Sequence, residues 1–230
     1  INKHYEYSRL IEDIVEAQAL NSLRNFYTSD AGYALAKQVD TDLVQLGRST
    51  NGGGGTNAYA TGAFIGGDGT TAYVAANNNE SALTDAAIRR TIQRLDDTDT
   101  PMDQRFFLIP PSSRNTLMGL ARYTEQAFVG GTNSTIRTGE IGNLYGIPVF
   151  VSSNCDTASG SGAARVCIMG HRDAVVLVEQ VAVRSQVQYK QEYLATLFTS
   201  DTLYGVQILR AAASVSAAKS ASMFALLVPA

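Results

Sequence analysis

The stretch ALNSLRNFYTSDAGYALAKQVDTDLVQLG, residues 19–47, decides the fold of this chain. Its apolar residues recur at steps of three and four, the period of an amphipathic helix, and polar residues fill the opposite face. Gly47 follows the last apolar residue, where a left-handed C-terminal cap is favoured. As one helix the stretch is roughly 40 Å long, at about 1.5 Å per residue. The spacing leaves a second reading open, in which two ordinary helices break at Thr28, Ser29 and Asp30, a good N-cap cluster.

The composition is that of a folded protein with a weakly charged surface. Of its 230 residues, 45% are hydrophobic and 17% are charged, and the formal net charge is −3. The basic residues are scattered, which argues against general nucleic-acid binding because that requires clustered Lys and Arg. No apolar run reaches the ~18 residues of a membrane span, so no membrane partner is expected. A low content of charge suggests that other subunits cover part of the surface.

Outside the long helix, the sequence predicts an α+β arrangement: helices first, then a compact mixed region, then a ribbon that returns to pack on the long helix. Residues 48–69 are rich in glycine and predict a loop or a weak hairpin. The predicted helices span residues 8–15, 80–95 (capped by Ser81) and 112–123. The predicted strands span residues 105–109, 146–151, 165–169 and 174–178, and the two strands of the ribbon span residues 181–191 and 194–209.

The triplet His171-Arg172-Asp173 matches the first letters of a kinase catalytic loop. The Asn that should follow the Asp by five residues is replaced by Val178, and a phosphate-binding glycine loop is absent from the sequence. The triplet lies between two predicted strands. It is therefore interpreted as a polar turn.

Metal and cofactor sites are not indicated by the histidines and cysteines. His4, His171, Cys155 and Cys167 are the complete set, and neither C-x-x-C nor H-x-x-x-H occurs. Two cysteines are too few for a disulfide framework, so reduced thiols are the simpler interpretation. We expect neither a cofactor nor a metal.

Acid–base chemistry could come from carboxylates alone. Glu12, Asp13 and Glu16 cluster on the first predicted helix, and a pair of carboxylates is sufficient for some hydrolases. Such a cluster is more often a solvated helix face. A small carboxylate-dependent hydrolase is therefore kept only as an alternative.

Taken in chain order, the segments resemble the major capsid protein of tailed double-stranded DNA bacteriophages, which has the HK-97-like fold. Their sequences are most similar to those of T7-like and cyanophage-like podovirus coat proteins. The resemblance runs from Ile1 to about residue 215. The segments that carry it are a short helix (SRLIEDI), the long helix as a spine helix, a further helix (LTDAAIRRTIQRL), and the stretches RFFLIPPSSRNTLMGL, NLYGIPVFVSSN, MGHRDAVVLVEQVAVRSQVQY and KQEYLATLFTSDTLYGVQILR.

The resemblance implies two domains. Residues 1–79 and 181–212 would form a peripheral domain with the spine helix and a long β ribbon, and residues 80–180 would form an axial α/β domain. The tail, residues 213–230, is not placed. The N-terminal arm and extended loop of the family would lie before Ile1, so no crosslinking chemistry is carried over.

The resemblance also implies a structural role with no enzymatic activity. Copies of the chain would form the hexamers and pentamers of an icosahedral head that encloses double-stranded DNA without sequence-specific binding. The protein would be made in the cytoplasm of a host bacterium and would reside in the virion, with portal and scaffolding or decoration proteins as partners. An encapsulin-like compartment shell, which shares the fold, is the first alternative.

The candidate functional residues are inter-subunit contacts rather than catalytic groups. For each of them, packing within its own chain is the plainer alternative. The candidates are Phe26, Tyr27, Tyr33 and Val39 on the spine helix, and Phe128, Asn133 and Arg137 in the predicted axial loop.

Overall fold

A computed structural model describes residues 1–18, 23–46, 64–73, 79–120, 142–155, 157, 164–209 and 222–230. The chain forms two compact units, the first from Ile1–Leu43 and Val176–Gln207, the second from Val44–Val175 and Ile208–Ala230. The elements in chain order are β1 (Lys3–Glu12), α1 (Asp13–Gln18), α2 (Leu23–Gln45), β2 (Phe64–Ile65), α3 (Asp85–Asp97), β3 (Arg105–Ile109), α4 (Pro111–Met118), β4 (Asn143–Leu144), β5 (Ile147–Val151), β6 (Ala164–His171), β7 (Val175–Lys190), β8 (Ala195–Ile208) and β9 (Met223–Pro229).

The long helix is continuous from Leu23 to Gln45. The predicted alternative break does not occur, because the Thr28 hydroxyl donates to the Arg24 carbonyl at 2.8 Å instead of capping a new helix. Ala31 and Leu35 lie on the buried side of the helix. Two acidic residues of the helix, Asp30 and Asp42, form hydrogen bonds with the sheet of the first unit, as described below.

The sheet of the first unit has three strands in the order β1-β8-β7. The prediction of a helix over residues 8–15 is wrong, because β1 pairs with β8 in antiparallel register from Lys3↔Tyr204 to Glu12↔Ala195. Only the end of the predicted segment is helical, in α1. Pairing with a distant strand therefore overrides the local helical spacing. The predicted ribbon is present as β7 and β8, and β7 also absorbs the strand predicted at residues 174–178.

The sheet of the second unit has the strand order β2-β9-β6-β3-β5-β4. Of the tail that the sequence does not place, the described residues 222–230 include β9, which pairs antiparallel with β6 and parallel with β2. Phe64–Ile65 joins this sheet, so the first unit is shorter at this point than the predicted peripheral domain. Helices α3 and α4 contribute to a buried core with β3, β6 and β9, which includes Leu95, Leu117, Phe107, Met169 and Phe224.

Helix α3 begins later than predicted. Its N-cap is Thr84 rather than Ser81, because the Thr84 hydroxyl accepts the Ala87 N–H at 3.3 Å and donates to the Gly67 carbonyl at 2.5 Å. Ser81 instead packs against the turn at Gly67, where an added Cβ would lie 2.4 Å from the Ser81 Oγ. The helix then extends two residues beyond the predicted end at residue 95.

The predicted strand at residues 146–151 is one arm of a hairpin. Tyr145 and Gly146 both have positive φ, 52° and 80°, and connect the directly paired residues Leu144 and Ile147. This is the pattern of a two-residue type I′ turn. The strand at residues 105–109 is present as predicted, and the predicted helix at residues 112–123 is present as Pro111–Met118. Its predicted last residues, 121–123, lie outside the described residues.

Candidate inter-subunit surfaces

The outer side of α2 carries two large aromatic side chains that the chain itself leaves in solvent. Phe26 and Tyr33 are 65% and 69% exposed. They are seven residues apart, nearly two full helical turns, so they project from the same side of the helix. Ala31 and Leu35, by contrast, are 1% and 3% exposed and face the core of the first unit. The helix therefore has one side that is packed within the chain and one apolar side that is not.

The other two predicted residues of the spine helix behave differently. Tyr27 and Val39 are half-buried. The Tyr27 ring meets the Phe26 ring edge-on, with centroids 5.5 Å apart. Val39 lines a cavity of about 130 Å³ together with Leu35 of the helix and Val183 of β7, among other residues. The four candidates do not share one side of the helix, and Phe26 and Tyr33 are its exposed apolar pair.

Three predicted candidates cannot be placed. Phe128, Asn133 and Arg137 lie outside the described residues, as does most of the predicted loop at residues 48–69.

Two carboxylates anchor α2 to the sheet of the first unit. Asp42, 5% exposed, accepts a hydrogen bond from the Tyr204 hydroxyl at 2.7 Å and pairs with the Lys3 Nζ at 3.3 Å. Asp30 accepts from the Tyr7 hydroxyl at 2.5 Å. Burial, with the Asp42 hydrogen bond, raises the pKa of Tyr204, and the hydrogen bond to Asp30 raises the pKa of Tyr7. These bonds hold α2 against the sheet of the first unit, with Phe26 and Tyr33 on the side that faces away from the sheet.

The opposite face of the same sheet carries a charged cluster. Arg184 of β7 makes a two-pronged pair with Asp201 of β8, at 2.8 and 2.9 Å. His4 of β1 approaches the same carboxylate at 3.4 Å. The Arg184 hydrogen bond lowers the pKa of Asp201 and keeps its carboxylate ionised. The cluster joins all three strands through charged side chains on this face of the sheet.

Strand β7 leaves apolar side chains exposed along most of its length. Five of its apolar side chains, and two in the turn that follows it, are 47–67% exposed. Apolar residues at this density on one strand indicate a contact surface rather than a solvated one. The residues are Leu177, Val178, Val183, Val187 and Tyr189 on the strand, and Tyr193 and Leu194 in the turn.

The carboxylates considered for hydrolysis lie where β1 ends and α1 begins. Glu12 ends β1 and Asp13 begins α1, and both are exposed. Asp13 accepts a hydrogen bond from the Tyr189 hydroxyl at 2.9 Å, which ties the start of α1 to β7. Within the described ranges, no group of three or more His, Cys, Asp or Glu side chains is placed to hold a metal ion. The local role of Asp13 is structural.

The remaining reactive residues are occupied in the fold of the second unit. His171 ends β6, and its Nδ1 accepts the Asp173 N–H at 3.1 Å, so the His-Arg-Asp triplet is a polar turn as predicted. Cys155 and Cys167 are buried and are not joined in a disulfide. Burial raises the pKa of Cys167 to about 12, which leaves its thiol protonated at neutral pH.

Comparison of the sequence with protein families identifies the family of the chain. The profile of the family described as phage capsid protein matches residues 8–215. The chain belongs to the phage capsid protein family. This phage capsid protein is a structural protein of the virion shell, which assembles from copies of the same subunit. The family favours neither the encapsulin-like alternative nor the hydrolase. No curated protein matches the capsid protein closely enough to count as a relative.

Solved capsid structures share its fold. A chain of Mycobacterium phage Che8 matches with a TM-score of 0.73 at 17% identity, over 98% of this chain and 70% of that one. A chain of the cyanophage P-SCSP1u capsid matches with a TM-score of 0.69 at 19% identity, over 98% and 72%. A chain of the capsid of Helicobacter pylori bacteriophage KHP30 matches with a TM-score of 0.68 at 12% identity, over 98% and 74%. The HK-97-like fold predicted from the sequence is thus confirmed.

The exposed apolar residues of β7 are candidates that the site prediction missed. Val183, Val187 and Tyr189 alternate with polar residues, and the sequence therefore identified a strand with one apolar side. That alternation normally marks a side buried within the chain. Only the exposed fractions of these side chains in the folded chain show that much of this side is left uncovered.

No helix among the described residues has the length and apolar character needed to cross a membrane.

Proposed function

We propose that the capsid protein forms the hexamers and pentamers of an icosahedral phage head that encloses double-stranded DNA without sequence-specific binding. The observation that carries the proposal is the exposed apolar surface of the first unit, on α2 at Phe26 and Tyr33 and on β7 at Val183 and Val187. A family member that assembles with itself requires such surfaces, because burying apolar area is the main source of free energy in association.

The two compact units correspond in this proposal to the peripheral and axial domains of a shell subunit. The first unit, with α2 and the three-stranded sheet, forms the shell wall. The second unit closes the capsomer through heterologous contacts that generate a ring. The residues we propose at the interfaces are Phe26, Tyr27, Tyr33 and Val39 on α2, and Phe128, Asn133 and Arg137 at the capsomer centre.

The partners and the cellular location follow from the same role. Because the net charge of the chain is −3, we expect its electrostatic attraction to DNA to be weak. In this proposal the chain therefore does not neutralise the charge of the packaged genome. We propose that portal and scaffolding or decoration proteins complete the head. The chain would be synthesised in the cytoplasm of the host bacterium before assembly into the virion.

Size-exclusion chromatography with negative-stain microscopy tests the proposal. The purified full-length protein should elute as megadalton particles or as capsomers, and icosahedral outlines should appear in images. A Phe26→Ser, Tyr33→Ser variant should remain folded and lose most of its particles, because both side chains are exposed within the single chain. Material that stays monomeric under every assembly condition would contradict the proposal.

A further inference from the structure

The three-stranded sheet of the first unit ends in a long strand on each side. Its order is β1-β8-β7, and no strand among the described residues pairs with the outer edge of β1 or of β7. The outer edges present backbone N–H and C=O groups over 10 and 16 residues. A long edge strand is a template for pairing with another chain unless it is blocked. The chemistry that fits such an edge is a further extended backbone.

The charges on these edges are complementary and regularly spaced. On the sheet face that points away from α2, Glu6 of β1, Asp201 of β8 and Arg184 of β7 lie side by side and form a row across the three strands. The hydrogen bond between the Ser185 and Ser200 hydroxyls at 2.7 Å fixes the β7–β8 register. Continued along the ribbon, this register sets Lys190 opposite Ala195, which itself pairs with Glu12. Each of the two rows therefore has a negatively charged side chain on β1 and a positively charged side chain on β7.

The two rows are separated by the same interval on both edges. Glu6 and Glu12 are six residues apart on β1, and Arg184 and Lys190 are six residues apart on β7. Six residues of strand span about 20 Å.

We propose that the outer edge of β7 pairs in parallel with the outer edge of β1 of a second copy of this chain, which joins their sheets. Strands β1 and β7 run in the same direction, because each is antiparallel to β8. The strand β1 spans ten residues, and the register that aligns both charge pairs sets it against residues 181–190. Arg184 then lies beside the partner's Glu6, and Lys190 beside the partner's Glu12.

The same register also matches the other face of the sheet. Val183 comes beside the partner's Tyr5, and Tyr189 beside the partner's Ile11. The joined sheet keeps α2 of both copies on one side, as a wall with an inner and an outer surface requires. The contact is heterologous, with different surfaces on the two copies, and so it generates rings or extended arrays. This inference rests on the proposed assembly of identical copies and specifies one of its contacts.

Charge reversal tests the pairing in the full-length chain. Lys190→Glu and Glu12→Lys should each lower the share of chains in particles, because each sets like charges side by side at every copy of the contact. The double variant should restore the share to near that of the parent, because the pair is re-formed with the charges exchanged. Unchanged assembly in both single variants, or no recovery in the double variant, would overturn the inference.

A disulfide crosslink tests the register independently. Gln188 lies directly opposite the partner's Leu10, both side chains are exposed, and adjacent strands are about 4.8 Å apart, within the range that a disulfide bridges. Particles of the Gln188→Cys, Leu10→Cys variant, oxidised with diamide, should run as chain-linked multimers without reductant. The native thiols are buried and should not react.

The matched control is the Ala182→Cys, Leu10→Cys variant. Its cysteines are on the same exposed face but six residues, or about 20 Å, out of register, so it should stay largely monomeric on the gel. If particles form but the Gln188→Cys, Leu10→Cys variant links no better than this control, the inference fails and the proposed function stands. If the parent chain stays monomeric under every assembly condition, the proposed function fails and the inference fails with it.

Discussion

Strands β9 and β7 are both rich in apolar residues, and the fold treats them in opposite ways. Met223, Phe224, Leu226 and Val228 of β9 are at most 2% exposed, between β2 and β6 of the second unit. Val183, Val187 and Tyr189 of β7 are 48–54% exposed at the edge of the first unit. Apolar sequence therefore serves two purposes in this chain. In β9 it lies in the core of the subunit, and in β7 it remains exposed, where we propose contacts between subunits.

The largest effect on subunit stability is expected in β9. Phe224 is fully buried in the core of the second unit, so Phe224→Ala should lower the free energy of unfolding by about 3–5 kcal/mol. Urea denaturation of the unassembled protein, followed by circular dichroism, measures the change. A loss below about 1 kcal/mol would mean that β9 is not part of the stabilising core.

An intermediate effect is expected where α2 is anchored to the sheet. Asp42→Asn removes the charge that pairs with Lys3 and disturbs the hydrogen bond from Tyr204, in a site where the aspartate is 5% exposed. We expect a loss of about 1–3 kcal/mol in the free energy of unfolding. Asp103→Asn, at an exposed aspartate of the second unit, is the control and should change stability by less than about 0.5 kcal/mol. Equal effects of the two variants would show that the anchor contributes nothing.

A smaller, pH-dependent effect is expected on the polar face of the first sheet. Since the Arg184 pair lowers the pKa of Asp201 in the folded state, its contribution to stability is complete above the ordinary aspartate pKa of about 3.9. The contribution is lost as the pH falls through the lowered folded value. Arg184→Gln should therefore show a shallower loss of unfolding free energy between about pH 5 and about pH 3 than the parent. Parallel pH profiles would contradict this assignment.

The smallest effect on the single subunit is expected in β7. Val187→Ser should change the free energy of unfolding by no more than about 0.5 kcal/mol, because the side chain is 53% exposed. The same variant should still reduce the share of chains in particles, measured by size-exclusion chromatography. A large loss of stability without a loss of assembly would reverse the roles assigned to β7 and β9.

The sequence predicts best those elements whose pattern is local and long. The spacing over residues 19–47 identifies α2, and the alternation after residue 181 identifies the ribbon. The alternation cannot show that β7 lies at an edge, because the exposed side of an edge strand has the same apolar pattern as a buried side. Phe26 and Tyr33 are exposed on the single chain, whereas Tyr27 and Val39 are partly covered by their own unit, and the contacts predicted for all four stay predictions.

The errors occur where a distant segment decides the local conformation. Residues 8–12 have apolar spacing that suits a helix, yet the pairing of β1 with β8 makes them a strand. Ser81 has the chemistry of an N-cap, but the Gly67 carbonyl is bonded by Thr84, which starts the helix three residues later. The apolar run at residues 223–229 is too short for periodicity to distinguish a strand from a buried helix. Its place between β2 and β6 supplies the missing information.

Hydrogen exchange before and after assembly tests most directly whether apolar surface left open by the subunit is buried between copies. In the unassembled protein, amides of β9 should be strongly protected and amides on the outer edge of β7 should exchange fast. In particles, β7 should become protected while β9 stays unchanged. If amides of residues 181–190 exchange equally fast in particles and in the free subunit, the division between a stabilising strand and an assembling strand is wrong.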